Sequence, residues 1–80
     1  MMEQGNLAAI ARYMGVRIPL NSSALAWCQY QPTLEGYGEL TIGFHDGNEI
    51  QYSDISVSTF LGFISAGSKG AYYNQHIRGQ

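Results

Sequence analysis

Residues 39–52 leave this chain little freedom in what it can become. Leu40, Ile42 and Phe44 alternate with Glu39, Thr41 and Gly43, and after Asp46-Gly47 the alternation resumes as Ile50 and Tyr52 against Glu49 and Gln51. A period of two is the signature of a half-buried strand, and Asp-Gly between two such runs marks a hairpin. The register follows from where the apolar residues must go. A two-residue Asp-Gly loop would pair Phe44 with Glu49 and send Ile50 and Tyr52 to the face opposite Ile42 and Phe44. A three-residue loop, His45-Asp46-Gly47, with Gly47 left-handed in a G1 bulge, pairs Phe44 with Asn48, Ile42 with Ile50 and Leu40 with Tyr52. Only the second arrangement gathers the apolar side chains on one face, so it is the one the sequence predicts.

Other elements can be placed around this hairpin. Asn6 caps a run in which Leu7, Ile10, Ala11 and Met14 fall at helical spacing, and Gly15 ends it, predicting a helix over residues 6–14. Pro19 forces an extended link through Leu20 to Ser23. Residues 24–30, with Trp27 and Tyr30, read as a first strand, and residues 31–38, with Pro32, Gly36 and Gly38, as a loop. Ser56 can cap a helix whose stripe is Val57, Phe60, Leu61 and Ile64, with Gly67 as its left-handed stop. Ser68 caps a last short helix ending at Gly79. The fold class expected is therefore α+β: a three-stranded antiparallel meander with an N-terminal helix and two C-terminal helices packed on one face. Residues 1–20 are read as a helical arm and residues 21–80 as the domain proper. The arm's apolar stripe can pack on its own domain or on a second copy, giving a homo-oligomer.

Charge narrows the function. The 80 residues carry four Lys and Arg against six Asp and Glu, a net charge of −2. Five of the acids (Glu35, Glu39, Asp46, Glu49 and Asp54) cluster between residues 35 and 54. A protein that tracks a long polyanion needs a broad basic footprint, which four cations cannot supply. A small phosphate-bearing ligand, or one end of an RNA, senses only a local pocket. The single cysteine, Cys28, excludes an internal disulfide and any multi-cysteine metal site, and fits a reducing compartment. Neither a signal-peptide pattern nor an apolar run of membrane-spanning length is visible, so a cytoplasmic protein with no membrane partner is expected.

Chemistry concentrates in residues 67–79, which hold two of the four cations, one of the two histidines and no acid. A glycine-loosened turn feeding a helix can expose backbone N–H groups to an anion. Lys69, Tyr72, Tyr73 and His76 fall at i, i+3, i+4 and i+7, which predicts one helical face. Lys69 can hold a phosphate over the Gly67–Gly70 backbone, or be a solvated lysine in a first turn. Arg78 can reach the same ligand, fork onto a carboxylate, or merely contact Asn74 one turn back. Adjacent tyrosines cannot point the same way. Tyr73, beside Ile77, is assigned to the core and Tyr72 to stacking on a base. The candidate ligand-binding set is thus Ser68, Lys69, Gly70, Tyr72, Asn74, His76 and Arg78. His45 and His76 are separated and no metal site or cofactor is expected. Cys28 sits in an apolar strand beside Ala26, where a thiol is usually inert, and no serine has an evident base, so no catalytic residue is assigned.

From residue 21 to residue 79 the chain resembles the KTSC domain family, found at the C-terminus of some lysyl-tRNA synthetases and alone in small bacterial and phage proteins. The matching residues are Ser22-Ser23-Ala24-Leu25, then Leu40, Ile42, Phe44 and Asp46-Gly47, then Tyr52, then Ser68-Lys69-Gly70, Tyr72-Tyr73-Asn74 and Ile77-Arg78. The family usually carries Tyr-x-Tyr on the third strand, where this chain has Ile50 and Tyr52, and commonly a Pro where it has Ser56. The resemblance implies at most RNA binding, the family having no settled activity. Two expectations follow. One is a non-enzymatic module that binds a nucleotide, a nucleotide signal or a short RNA, as a small sequestering protein would. The other is a protein–protein module, such as a small phage inhibitor of a host defence protein, contacted through the acidic hairpin.

Overall fold

The computed structural model describes residues 13–33 and 35–79. It is a small α+β fold: one antiparallel sheet in the order β1-β2-β3-β4, followed by helices at the C-terminal end. The strands are β1 (Ile18–Pro19), β2 (Leu25–Pro32), β3 (Tyr37–Phe44) and β4 (Glu49–Ser56). The sheet has four strands, not the three expected. The extra one is β1, which ends at Pro19 where the expected extended link begins, and it pairs Ile18 with Cys28 and Pro19 with Trp27. Pro19 is tolerated because β1 is an edge strand, where a missing N–H costs no ladder bond. Two residues carry no periodicity, so nothing local announced the pairing. The helix expected over residues 6–14 lies outside the described residues except at its last two, where Tyr13 is in a turn and Met14 forms an isolated bridge with Tyr30.

The hairpin register is the one expected. Ile42 faces Ile50, Leu40 faces Tyr52, and the Phe44 N–H donates to the Asn48 carbonyl at 2.8 Å. Gly47 adopts φ 95°, and its N–H donates to the Phe44 carbonyl at 3.0 Å, closing the G1 bulge. The expected loop over residues 31–38 is shorter than its composition suggested, since β2 runs on to Pro32 and β3 begins at Tyr37. Gly38 is a strand residue, and glycine is required there because a Cβ would lie 2.7 Å from both the Tyr30 ring and the Gln31 carbonyl. A second irregularity lies between Gly38 and Leu40, opposite which Asp54 takes the left-handed φ of 59°.

Helix α1 (Val57–Ser65) begins as expected, the Ser56 Oγ accepting the Thr59 N–H at 3.1 Å. It ends differently. Ala66 is extended (φ −68°, ψ 140°) and Gly67 is not left-handed, so no glycine stop operates. The last helix also departs from expectation. After one turn, α2 (Lys69–Tyr72), it widens into a π turn over Tyr73–Ile77, closed by the Arg78 N–H on the Tyr73 carbonyl at 2.8 Å. Apolar spacing in a single π turn is indistinguishable from that of an α-helix, which is why the sequence did not reveal it.

The core lies between the sheet and these helical segments. Leu25, Cys28, Tyr30, Leu40, Ile42 and Ile55 from the strands meet Phe60 and Phe63 of α1 and Tyr73 and Ile77 of the π turn. Tyr30 stacks on Phe60 with centroids 4.3 Å apart, and its buried hydroxyl donates to the Ile55 carbonyl at 2.7 Å. Tyr13, Ile18 and Leu20 pack against the same cluster, so residues before 21 contribute to it. No buried side-chain nitrogen or oxygen among the described residues lacks a partner.

Candidate functional site

Between the hairpin end of the sheet and the C-terminal helices lies an open pocket of about 380 Å³, lined by Ala24, Leu25, Phe44, Ile50, Gly70, Tyr73, Asn74 and Arg78. Its sheet-side wall is held by the hairpin tip. The His45 N–H donates to the Ala24 carbonyl at 3.1 Å and its Nε2–H to the Ser22 carbonyl at 2.9 Å, fixing residues 22–25 beside Phe44. The G1 bulge then brings Ile50 onto the same face, where it stays 44% exposed. A large apolar side chain left this open beside a pocket is surface available for a ligand.

The helical wall depends on the π turn. Tyr73 is anchored in the core, its ring edge-on to Phe44 at 5.8 Å and its hydroxyl hydrogen-bonded to that of Tyr52 at 2.5 Å. Burial, together with the Tyr73 hydroxyl, pushes Tyr52 up to about 12, and the nearby Arg78 charge opposes this. With Tyr73 and Ile77 turned inward, Asn74 and Arg78 both face outward at the pocket. The Arg78 guanidinium donates to Asn74 Oδ1 at 3.4 Å, the i+4 contact foreseen as one alternative. That uses one of its five N–H donors and pairs it with no carboxylate among the described residues.

Three of the residues singled out from sequence therefore meet in the pocket: Gly70, Asn74 and Arg78. Four do not line it. Ser68 Oγ accepts the Ala71 N–H at 3.3 Å, a helix cap. Lys69 Nζ donates to the Ala66 carbonyl at 2.6 Å, neutralising the carbonyl end of α1 instead of sitting over the glycines. Tyr72 is half-buried, packs on Phe63 and donates its hydroxyl to the Thr59 carbonyl at 3.0 Å. His76 lies against the Tyr72 ring, centroids 4.4 Å apart. The face drawn from the spacing thus divides, Lys69 tying the two helices together and Tyr73 turning into the core, and Lys69 does not join Arg78 at the pocket. Sequence reasoning missed the apolar wall. The hairpin register places Phe44 and Ile50 on one strand face, but only the chain's return at residues 70–78 turns that face into a cavity.

Elsewhere the inventory for chemistry is thin. Cys28 is fully buried, and burial pushes its thiol up to about 12, so it offers no thiolate at neutral pH. No group of three or more His, Cys, Asp or Glu among the described residues could hold a metal. No helix there is long and apolar enough to cross a membrane.

A four-stranded antiparallel sheet carrying C-terminal helices and a pocket at its hairpin end defines a small α+β domain class, and the comparisons specify which. The KTSC domain profile matches residues 21–80, so the chain belongs to the KTSC domain family. Among solved structures it is similar to the crystal structure of a KTSC domain protein from Yersinia pestis, with 29% identity, a TM-score of 0.72, and coverage of 81% of this chain and 87% of that one. No curated protein matches.

Proposed function

We propose that this domain is a binding module, without chemistry of its own, for a small phosphate-bearing ligand such as a nucleotide or the terminus of a short RNA. The observation that carries this reading is the pocket itself: a guanidinium with free donors and an amide on one wall, Phe44, Ile50 and Leu25 on the other. Its volume of about 380 Å³ lies within the usual range for small-molecule sites. Arg78 grips the anion, Asn74 orients Arg78 and adds an N–H donor, and the apolar wall receives the base or sugar. Lys69 and Tyr72 stand behind the site as scaffold, since both have their polar ends committed to backbone carbonyls.

Titration calorimetry with mononucleotides and short RNA oligomers tests this. Binding is expected to weaken about tenfold or more in Arg78→Ala, the loss of one charge-assisted hydrogen-bonded contact. In Lys69→Gln it should stay near the parent value. Silence across the panel from folded protein, or dependence on Lys69 and not on Arg78, refutes the proposal.

A further inference from the structure

Gly70 is hard to account for as a folding residue. It occupies the first turn of α2, where glycine is among the poorest helix formers. Its φ is not positive, so no left-handed conformation requires it. A Cβ built on it meets nothing within 4 Å, so no close packing requires it either. This contrasts with Gly38, Gly43 and Gly62, each of which has a ring or backbone atom closer than 3.0 Å to such a Cβ. What Gly70 does border is the pocket. The pocket's charge is equally specific. Among the described residues Arg78 is the sole charged side chain lining it, and the protein around it carries a net charge of −2. One guanidinium can compensate one negative charge through a bidentate fork; every additional charge on a ligand would enter an acidic field without a partner.

Resting on the reading of the pocket as a ligand site, we propose that the absent side chain at Gly70 keeps this pocket open for an amphipathic mono-anion. Its singly charged oxyanion head sits on Arg78 and its apolar or planar body lies along Phe44, Ile50 and Leu25. A phosphodiester and a carboxylate both supply such a head; nucleoside polyphosphates do not.

The test uses the full chain and four probes in calorimetry: cyclic AMP and cyclic CMP for the phosphodiester, phenylpropionate for the carboxylate, and ATP as the polyanion. Gly70→Leu and Gly70→Ala are measured beside the parent. Both variants should fold at least as stably, having open space and better helix propensity, which circular dichroism verifies. The expected result is that one mono-anion binds at least about tenfold more tightly than ATP and that Gly70→Leu removes this binding. Binding of a cyclic nucleotide identifies a phosphodiester head and upholds the phosphate reading, whereas binding of phenylpropionate alone upholds the mono-anion and overturns the reading of the ligand as phosphate-bearing. Tighter binding of ATP, still dependent on Arg78, overturns the mono-anion assignment while leaving the phosphate site standing. Binding indifferent to Gly70→Leu overturns the role of Gly70. No binding by any probe removes both.

Discussion

Gly62→Ala, a substitution that should help almost any exposed helix, is expected to harm this one. Gly62 lies inside α1, and replacing an interior helical glycine by alanine ordinarily stabilises by about 1 kcal/mol. Here the new Cβ would lie 2.3 Å from the Tyr72 hydroxyl and 2.9 Å from its Cζ. Carbon contacts become favourable only near 3.5 Å, so the phenol must withdraw by roughly 1 Å. That movement costs the Tyr72 hydrogen bond to the Thr59 carbonyl, worth about 1 kcal/mol, and strains the ring's packing on Phe63 by about 1–2 kcal/mol more. The losses exceed the helix gain, leaving a net destabilisation of about 1–2 kcal/mol. In a Tyr72→Ala background the obstruction is gone, and the same substitution should stabilise by about 1 kcal/mol. The sign therefore reverses, a coupling of about 2–3 kcal/mol between the two positions. Urea unfolding of the four proteins, followed by circular dichroism and by the fluorescence of the single tryptophan, Trp27, measures it. Additive effects, or stabilisation by Gly62→Ala in the parent, would show that Tyr72 is not held across α1 and is free to stack on a ligand after all.

Alkaline pH should expose the buried thiol and phenols. Burial raises Cys28 from its ordinary 9.0 to about 12, burial and the Tyr73 hydroxyl raise Tyr52 from 10.0 to about 12, and burial raises Tyr30. A raised folded pKa means the unfolded chain ionises first, so this stability is intact below pH 9 and falls as pH climbs from 9 towards 12. The urea midpoint should accordingly be level below that window and decline within it, with the decline beginning later in Cys28→Ala; a parent midpoint unchanged up to pH 11 would contradict the burial of these groups. Asp54 holds a left-handed φ of 59°, a conformation glycine adopts freely, and Asp54→Gly should raise stability by about 0.5–1 kcal/mol in the same assay. Destabilisation there would mean the carboxylate has a role beyond its backbone geometry.

Much of the fold was legible because its signals are local. The alternation of Leu40, Ile42 and Phe44, the Asp46-Gly47 turn and the need to keep Ile50 and Tyr52 on the same side were together enough to specify the hairpin register. Ser56 and Ser68 read as helix caps for the same reason: capping is decided within three residues. The candidate site was legible in its location but not in its membership. Residues 67–79 contain Gly70, Asn74 and Arg78, yet the spacing grouped Lys69, Tyr72, Tyr73 and His76, and it could not show that carbonyls in and just after α1 take the polar ends of Tyr72 and Lys69.

What the amino-acid sequence determined by itself, then, is the set of elements whose hydrogen bonds and burial close over short chain distances, together with a net charge of −2. Three things awaited tertiary structure. Ile18 and Pro19 became a strand only because β2 presented a free edge to them. Lys69 turned to Ala66 because the carbonyl end of α1 arrived within its reach. The pocket exists because the π turn, held by Tyr73 against Tyr52 and Phe44, swings Arg78 over a sheet face many residues away in the chain. Each of these depends on free energy gained between segments that meet only after the chain has collapsed, which no local pattern of residues encodes.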